Sequence, residues 1–425
     1  MMKILKRWML AALFCLLVAA IAGAQVIPQA TSPEEVGLSK ERLARIGPAL
    51  TRQIDERSFP GAVALVARKG RIAYFEAIGQ LDPKTGTPMA KDAIFRLYSM
   101  TKPFTSVGMM MLVEEGRLRL TDPVGVYLPQ LAKLKVAAPN TDTSGKTTYT
   151  LVPAESPVTL YELIRHTSGI VYAGFTKTEY IKELYTKENV GWAGVTPAEQ
   201  LDALAKVPLA HQPGTVWEYG LSIDVIGRVI ESVTGMPLSR FLAERIFRPL
   251  RMTDTTFLVP ADKVKRIAHP LATDRATGQP IILHDVTVPS KNDAGGAGAA
   301  GTAMDYMRFL QMLANGGQFD GQRLLARTIV RHMTSDHLGS IKPAIPTLPP
   351  GYGFGLGFAI RRADGLNAAP GSAGEYNWGG AGGTMFWVDP KEQLVAILMT
   401  QAQPGPWQRE FKELFRQLVY QAIVD

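Results

Sequence analysis

Cysteine is nearly absent from this chain of 425 residues, whose single cysteine is Cys15. Cys15 lies in an apolar stretch near the start, and the remainder of the chain contains no thiol. If that stretch is removed, disulfides, thiolate metal sites and cysteine nucleophiles are excluded. The fold must then be stabilised by its hydrophobic core, which a chain of about 400 residues can supply.

Several signatures of enzymes and binding proteins are also missing. The sequence has no H-E-x-x-H zinc motif, no complete G-x-x-x-x-G-K-[ST] phosphate loop and no complete G-x-S-x-G turn. The nearest approach to the last, Gly220–Asp224, lacks the final glycine. The formal charge is +8, but the basic residues are dispersed, with no run of five, which disfavours a nucleic-acid surface. We therefore expect no metal, no cofactor and no nucleic-acid partner.

Residues 1–24 have the three parts of a Sec signal peptide. These are a basic start, an apolar centre and a small-residue cleavage site, at Lys3, Lys6 and Arg7, then Met9–Ile21, then Ala22–Ala24. A membrane anchor is the alternative, but the apolar run is shorter than the ~20 residues that span a bilayer. We expect cleavage before Gln25, export across the inner membrane, a periplasmic location and no stable membrane span afterwards. Without the leader's three basic residues the net charge is +5.

Strand patterns are concentrated at the two ends of the mature chain. Ala62–Ala67 and Arg71–Ala77 flank a short turn and predict one hairpin, and Gly383–Val388 and Gln393–Thr400 predict another. Helical patterns precede the first hairpin and follow the second. Because the two hairpins would most simply pair with each other, we expect one antiparallel sheet with helices on its faces.

The middle of the chain is expected to form a helical lobe, so that residues 25–425 are a single α+β (α/β sandwich) domain. The α/β lobe would comprise about 33–95 and 290–425, and the helical lobe about 96–289. The polar stretch 133–157 predicts a long loop, which with 170–195 is expected to shape a pocket. The glycine-rich stretch 293–302 lacks the pattern of a nucleotide loop, and we expect it to pack in the wall of a cleft.

The stretch Arg96–Phe104 contains a candidate nucleophile. Ser99 is followed three residues later by Lys102, and no other serine in the chain has lysine at that spacing. Positions i and i+3 share a helix face, so the amine can lie beside the hydroxyl. Pro103 suits the first turn of a helix, which would place Ser99 at an N-terminus that favours negative charge. By itself this S-x-x-K also fits an ordinary turn into a core helix.

Tyr219 is a candidate partner for that serine. It follows a Pro-Gly turn and immediately precedes a helical pattern, so it can be presented to a cleft. Lys102 could accept the serine proton as a neutral amine, or could stabilise a Tyr219 phenolate as a cation. Taken alone, Tyr219 also fits a core or capping tyrosine. We expect His166 to cap a helix end or to bond locally instead of acting as a base.

A third segment enters the late hairpin at Trp378-Gly379-Gly380. Glycines in a strand allow another backbone or a ligand to approach closely. The N–H of Ala381 could then join the N–H of Ser99 as a two-donor oxyanion hole. A plain glycine-rich turn is the alternative.

Together, Ser99-Met-Thr-Lys102, Tyr219-Gly220-Leu221 and Trp378-Gly379-Gly380 follow the order and spacing of the three motifs of serine β-lactamase-like proteins. The chain most resembles the family VIII carboxylesterases, which share the class C β-lactamase fold, over about residues 33 to 422. The resemblance implies an acyl-enzyme mechanism without a cofactor. Ser99 would attack a carbonyl, Tyr219 with Lys102 would move its proton, and the Ser99 and Ala381 amides would hold the oxyanion.

Departures from the motifs bear on the substrate. Leu221 stands where β-lactamases and peptidases of this superfamily have asparagine, and Trp378 where they have a lysine that helps bind a carboxylate. These replacements favour neutral esters, of short to medium acyl length, as the small-molecule partner, although Arg361 or Arg362 could still supply a cation. The expected substrate-binding residues are Trp378, Gly379, Gly380 and Leu221. The alternatives are a class C-like β-lactamase or D-Ala-D-Ala-type peptidase, and a non-hydrolytic β-lactam or cell-wall binding protein; the oligomeric state stays open.

Overall fold

The computed structural model describes residues 27–402, 405 and 407–425. The predicted signal peptide and its Cys15 lie outside these ranges. Among the helices of the described part, none combines the length and the apolarity that crossing a bilayer requires.

One large antiparallel sheet forms the centre of the structure. The strands of the described chain are β1 (Gly61–Arg68), β2 (Arg71–Asp82), β3 (Thr87–Pro88), β4 (Phe95–Arg96), β5 (Lys135–Thr141), β6 (Thr147–Pro153), β7 (Ala300–Gly301), β8 (Gln318–Phe319), β9 (Gln322–Arg323), β10 (Tyr352–Phe354), β11 (Ala359–Arg361), β12 (Tyr376–Gly379), β13 (Met385–Asp389) and β14 (Leu394–Thr400). Eight of them pair in the order β10-β11-β12-β13-β14-β1-β2-β3. Both predicted hairpins are present, and β1 pairs with β14, so the two ends of the chain build one sheet, as predicted.

Strand β1 is buried on both faces because its side chains alternate between two cores. Val63 and Leu65 point into one core, whereas Ala62 and Ala64 point into the other. The register continues this division into β14, where Ile397 lies opposite Leu65 in the same core. A strand with an apolar layer on each side has apolar residues at successive positions instead of alternate ones. The sequence Ala62–Ala67 has this continuous apolar pattern.

Helices cover both faces of the sheet. The α-helices of the described chain are α1 (Lys40–Leu43), α2 (Ile46–Asp55), α3 (Lys102–Glu114), α4 (Leu160–Ile164), α5 (Glu179–Lys187), α6 (Pro197–Lys206), α7 (Ser222–Thr234), α8 (Leu238–Leu242), α9 (Ala303–Ala314), α10 (Arg327–Met333) and α11 (Gln408–Tyr420). α1, α2 and α11 share the smaller core with one sheet face, and α3 and α9 share the larger core with the other. This arrangement confirms the predicted α+β class.

The stretch 133–157 is a hairpin, β5–β6, and not the predicted long loop. Asp142 starts its turn and accepts the Ser144 N–H at 2.8 Å. Most side chains of β6 are exposed, so the apolar alternation that marks a half-buried strand is absent. The signal that could have identified it is the run of β-branched residues in Thr147–Val152.

A buried ion pair fixes α11 to the strand that carries the third motif. Glu375, which is 0% exposed, immediately precedes β12, and it accepts from the two terminal guanidinium nitrogens of Arg416 at 2.5 and 2.9 Å. The same carboxylate accepts from Tyr352 at 3.2 Å and from Asn377 at 3.0 Å. The charge of Glu375 raises the pKa of Arg416. The position of α11 relative to β12 therefore depends on this network.

Replacing Arg416 by methionine should lower the free energy of unfolding by about 3 kcal/mol, because it leaves the Glu375 carboxylate buried without its cation. Urea unfolding measures the change. Arg409→Met is the matched control, since this arginine is on the same helix with its side chain 74% exposed, and it should change stability by less than about 0.5 kcal/mol. Equal effects of the two substitutions would contradict the assigned role of the pair.

Candidate active site

Ser99 lies on a short 3₁₀ turn, Tyr98–Thr101, that leads directly into α3. Pro103 is in the first turn of that helix, as predicted. Tyr98 has φ = +46°, a left-handed conformation that costs a residue other than glycine about 1–3 kcal/mol. Its Oη accepts the His284 N–H at 3.0 Å, which helps to hold the turn in this conformation.

The amine of Lys102 lies beside the Ser99 hydroxyl, although the side chain is only 1% exposed. Its Nζ is 3.3 Å from Ser99 Oγ, 3.2 Å from Tyr172 Oη and 2.9 Å from the carbonyl oxygen of Gly296. These three acceptors match the three N–H donors of a charged lysine. The structure therefore brings the two residues of the S-x-x-K pair into direct contact.

The glycine-rich stretch 293–302 packs along α3 and forms one wall of the cleft, as predicted. Thr101 Oγ1 accepts the Ala299 N–H at 3.0 Å, and Thr105 donates to the Gly295 carbonyl at 2.8 Å. With the bond from Lys102 to Gly296, these contacts fix the stretch behind the serine.

Tyr219 also contacts Ser99. Its hydroxyl donates to Ser99 Oγ at 2.6 Å, and Lys102 Nζ lies 4.6 Å from the centre of its ring. The next residue is glycine because the chain passes another segment closely here: a β-carbon on Gly220 would lie 2.1 Å from the carbonyl oxygen of Ile170. Ser99, Lys102 and Tyr219, predicted from two separate stretches of the sequence, thus form one cluster.

His166 lies beneath this cluster and does not reach the cleft, since it is 1% exposed. Its ring is 5.0 Å from that of Tyr219, and Nδ1 accepts the Gly220 N–H at 3.4 Å. Burial and the charge of Lys102 lower the pKa of His166 well below its usual range, which favours the neutral ring. It supports the Tyr219 turn locally.

Sequence reasoning missed Tyr172 and Asp224, which adjoin Lys102. Tyr172 accepts from Lys102 and donates to Asp224 Oδ2 at 3.4 Å. Asp224 is 1% exposed and accepts the Gly296 N–H at 3.0 Å. Burial raises the pKa of Asp224, and the charge of Lys102 opposes that rise. Asp224 lies five residues after Tyr219, on the first turn of α7. The available signal was an acidic residue at the start of a strongly apolar helical pattern, close in sequence to the candidate tyrosine.

Strand β12 and the turn after it form another wall of the cleft. A β-carbon on Gly380 would lie 2.3 Å from the carbonyl oxygen of Leu97, so glycine is required where this turn meets the chain before the serine. Within the described part of the chain, the N–H groups of Ser99 and Ala381 donate to no protein acceptor. Both are therefore available to a ligand.

A cavity of about 530 Å³ opens over Ser99. Its aromatic walls are Tyr98, Tyr172, Phe175, Trp192, Tyr219, Trp378 and Phe386. Three of these come from the predicted region 170–195, whereas the hairpin β5–β6 contributes none of the described lining residues. Gly379, Gly380 and Ala381 also line the cavity, as predicted. Leu221 does not: it is 1% exposed, because the chain turns into α7 there and directs its side chain into the core.

The charged group in the cavity wall differs from the two candidates named from sequence. Arg361 is 2% exposed and donates to Tyr352 and to the Ala369 carbonyl, and Arg362 pairs with Asp336 at 3.1 Å. Neither lines the cavity, whereas Lys412 of α11 does. Burial lowers the pKa of Lys412 to about 8.

A sheet built from both chain ends, with a serine, a lysine and a tyrosine clustered beside it, defines a serine hydrolase of the β-lactamase-like type. The Beta-lactamase family model matches residues 48–421, and the chain belongs to that family.

Several known proteins are similar to this chain over most of its length. Protein Rv1367c of Mycobacterium tuberculosis is 36% identical over 357 residues, 81% of this chain and 86% of its own length. Esterase EstB of Burkholderia gladioli is 30% identical over 405 residues, 89% of this chain and 94% of its own. The solved structure of EstCE1, "a hydrolase with promiscuous acyltransferase activity", superposes with a TM-score of 0.73 at 26% identity, covering 89% of this chain and 99% of that one. The resemblance to family VIII carboxylesterases within the serine β-lactamase-like superfamily is thus confirmed.

Proposed function

We propose that this protein hydrolyses carboxylic esters through an acyl-enzyme on Ser99. The observation that carries the proposal is the convergence of two proton-transfer groups on one hydroxyl at the cavity floor. Lys102 Nζ and Tyr219 Oη lie 3.3 and 2.6 Å from Ser99 Oγ. Such a contact is the arrangement that an activated serine nucleophile requires. The names of EstB and EstCE1 support esters as the substrate class.

Acylation and deacylation use the same groups in turn. Ser99 Oγ bonds to the ester carbonyl carbon while its proton passes to the Tyr219–Lys102 pair, in which the lysine amine or a phenolate beside the ammonium accepts it. The tetrahedral intermediate then breaks its bond to the alcohol oxygen, which takes that proton and leaves. A water molecule repeats the sequence on the acyl-enzyme and releases the acid.

The oxyanion formed in each step would be bound by the N–H groups of Ser99 and Ala381. Their lack of protein acceptors within the described chain supports this role. Donors that are already held in position stabilise developing charge without reorganising during the reaction, and losing one typically costs about 10²–10³-fold in rate.

The cavity favours esters over β-lactams. Trp378 presents an indole where the β-lactamases of this superfamily have a lysine, and six other aromatic side chains share the lining. A volume of about 530 Å³ suits an ester with a short to medium acyl chain. Burying an apolar acyl chain against these rings would contribute about 0.8 kcal/mol per methylene.

Steady-state kinetics with p-nitrophenyl butyrate and nitrocefin test the proposal. We expect kcat/KM for the ester to exceed that for the β-lactam by about 10²-fold or more, because the wall selects an apolar acyl group. Efficient nitrocefin hydrolysis with an untouched ester would instead indicate a β-lactamase. Stoichiometric acylation by a β-lactam, without turnover of either compound, would indicate a binding protein.

A further inference from the structure

Lys412 is a cation without a counter-ion in the wall of the cavity. It lies on α11 one helical turn after Gln408, and among the described residues its Nζ has one hydrogen-bond partner, Gln408 Oε1 at 2.9 Å. Arg416, one turn further on, is neutralised by Glu375. No carboxylate of the described chain lies within ion-pair distance of Lys412. Unlike Arg416, Lys412 therefore has a charge that no carboxylate of the described chain neutralises.

The ammonium of Lys412 lies against the strand that borders the nucleophile. A β-carbon placed on Gly379 would be 3.6 Å from Nζ, so the glycine leaves this face of β12 open to the lysine. Lys412 and Ser99 line the same cavity. Among the described residues in that lining, Lys412 is the one with a charged side chain. A ligand bound at Ser99 can therefore extend to the ammonium.

Placing an unpaired ammonium in a mostly aromatic wall is unfavourable, because burial disfavours the charged form. The lowered pKa of Lys412 reflects that cost. A bound anion would remove the cost and would gain a charge-assisted hydrogen bond. A carboxylate suits this position because it accepts from Nζ while the adjoining methylene groups contact the aromatic side chains.

We propose that Lys412 forms a carboxylate-binding subsite, so that the preferred substrates are esters carrying a free carboxylate in addition to the ester group. This inference rests on the proposed ester hydrolysis at Ser99 and refines its substrate: the methylene groups of the ester contact the aromatic side chains, and a free carboxylate reaches Lys412. The carboxylate can belong to the acyl part or to the alcohol part of the ester, and the two arms of the test separate these sources.

The test compares esters matched in length, with and without a carboxylate. In the acyl arm, the p-nitrophenyl monoester of adipic acid is compared with p-nitrophenyl hexanoate. In the alcohol arm, 4-carboxyphenyl hexanoate is compared with phenyl hexanoate. We expect Lys412→Met to lower kcat/KM for the carboxylate ester of one arm by about 10–100-fold, the value of a hydrogen bond to a charged group, while the neutral esters change by less than about 3-fold.

Two variants complete the design. Lys412→Arg keeps the cation and should retain most of the preference for the carboxylate ester, even if Lys412→Met folds poorly. Arg409→Gln removes one positive charge from the exposed face of the same helix and should leave the preference unchanged, which separates a local contact from long-range attraction.

The results distinguish this inference from the proposed function. A loss confined to the carboxylate ester of one arm supports the subsite and identifies the part of the substrate that it binds. Equal losses for charged and neutral esters, or no loss in either arm, would overturn it. If wild-type protein hydrolyses none of the four esters, the proposed ester hydrolysis itself is wrong.

Discussion

Replacing Ser99 by alanine should reduce the hydrolysis of p-nitrophenyl butyrate by at least about 10⁴-fold. The substitution removes the oxygen that forms the acyl-enzyme, while Lys102 keeps its bonds to Tyr172 and Gly296 and Tyr219 keeps its ring packing. An activated phosphonate ester should label wild-type protein once, and mass spectrometry of the digested adduct should place the label on the peptide containing Ser99. The variant should stay unlabelled.

Ser106→Ala is the matched control for that experiment. Ser106 is buried on α3, two helical turns after Ser99, and its hydroxyl has no partner among the described residues. Its replacement should keep both hydrolysis and labelling near the wild-type level. Appreciable ester turnover by the Ser99 variant would exclude Ser99 as the nucleophile and would direct attention to another residue in the cavity.

Replacing Tyr219 by phenylalanine should lower kcat by about 10²–10⁴-fold, the usual contribution of a positioned acid–base group. The ring and its packing against His166 and Trp378 are preserved, and only the hydroxyl 2.6 Å from Ser99 Oγ is lost. Steady-state kinetics with both p-nitrophenyl butyrate and ethyl butyrate measure the effect. The loss should be larger for the ethyl ester, because ethoxide needs a proton to leave and p-nitrophenolate does not.

Tyr149→Phe is the control for this substitution, since Tyr149 lies on the hairpin β5–β6 and stacks on Tyr180 away from the cavity lining. Thermal unfolding of both variants shows whether the fold is retained. If Tyr219→Phe keeps a near-normal rate with both esters, the hydroxyl is not part of the proton path and Lys102 acts alone.

The cluster around Ser99 could be predicted because each residue belongs to a short local motif. The i, i+3 spacing of Ser99 and Lys102 places both on one side of the turn into α3, and the turn before α7 presents Tyr219. The pairing of the terminal hairpins followed from their positions in the chain and from their apolar runs. In these cases the information lies within about ten residues or in a strong hydrophobic pattern.

The features of the site that the sequence did not predict depend on packing between distant segments. Lys412 faces the cavity because Arg416 and Glu375 seat α11 against β12, and no local pattern distinguishes it from the other charged residues of that helix. The prediction that Leu221 binds substrate was wrong although Leu221 belongs to a local motif. The direction of its side chain is set by how α7 enters the core, which the motif does not reveal. Asp224 and Lys102 meet at Gly296, a residue distant from both in the sequence: a β-carbon there would lie 2.4 Å from the Asp224 carboxylate and 3.1 Å from Lys102 Nζ.

The sheet also determines when the protein can fold. Strand β1 lies between β2, its neighbour in the chain, and β14, which begins at residue 394. Until the ribosome has made β14, an apolar strand buried on both faces in the finished protein has an unpaired edge, and such a chain is prone to aggregate. Pairing across most of the chain length also makes folding slow. A nascent chain therefore carries Ser99, Lys102 and Tyr219 long before it has a sheet to hold them, and hydrolase activity should appear only when its last strand is complete.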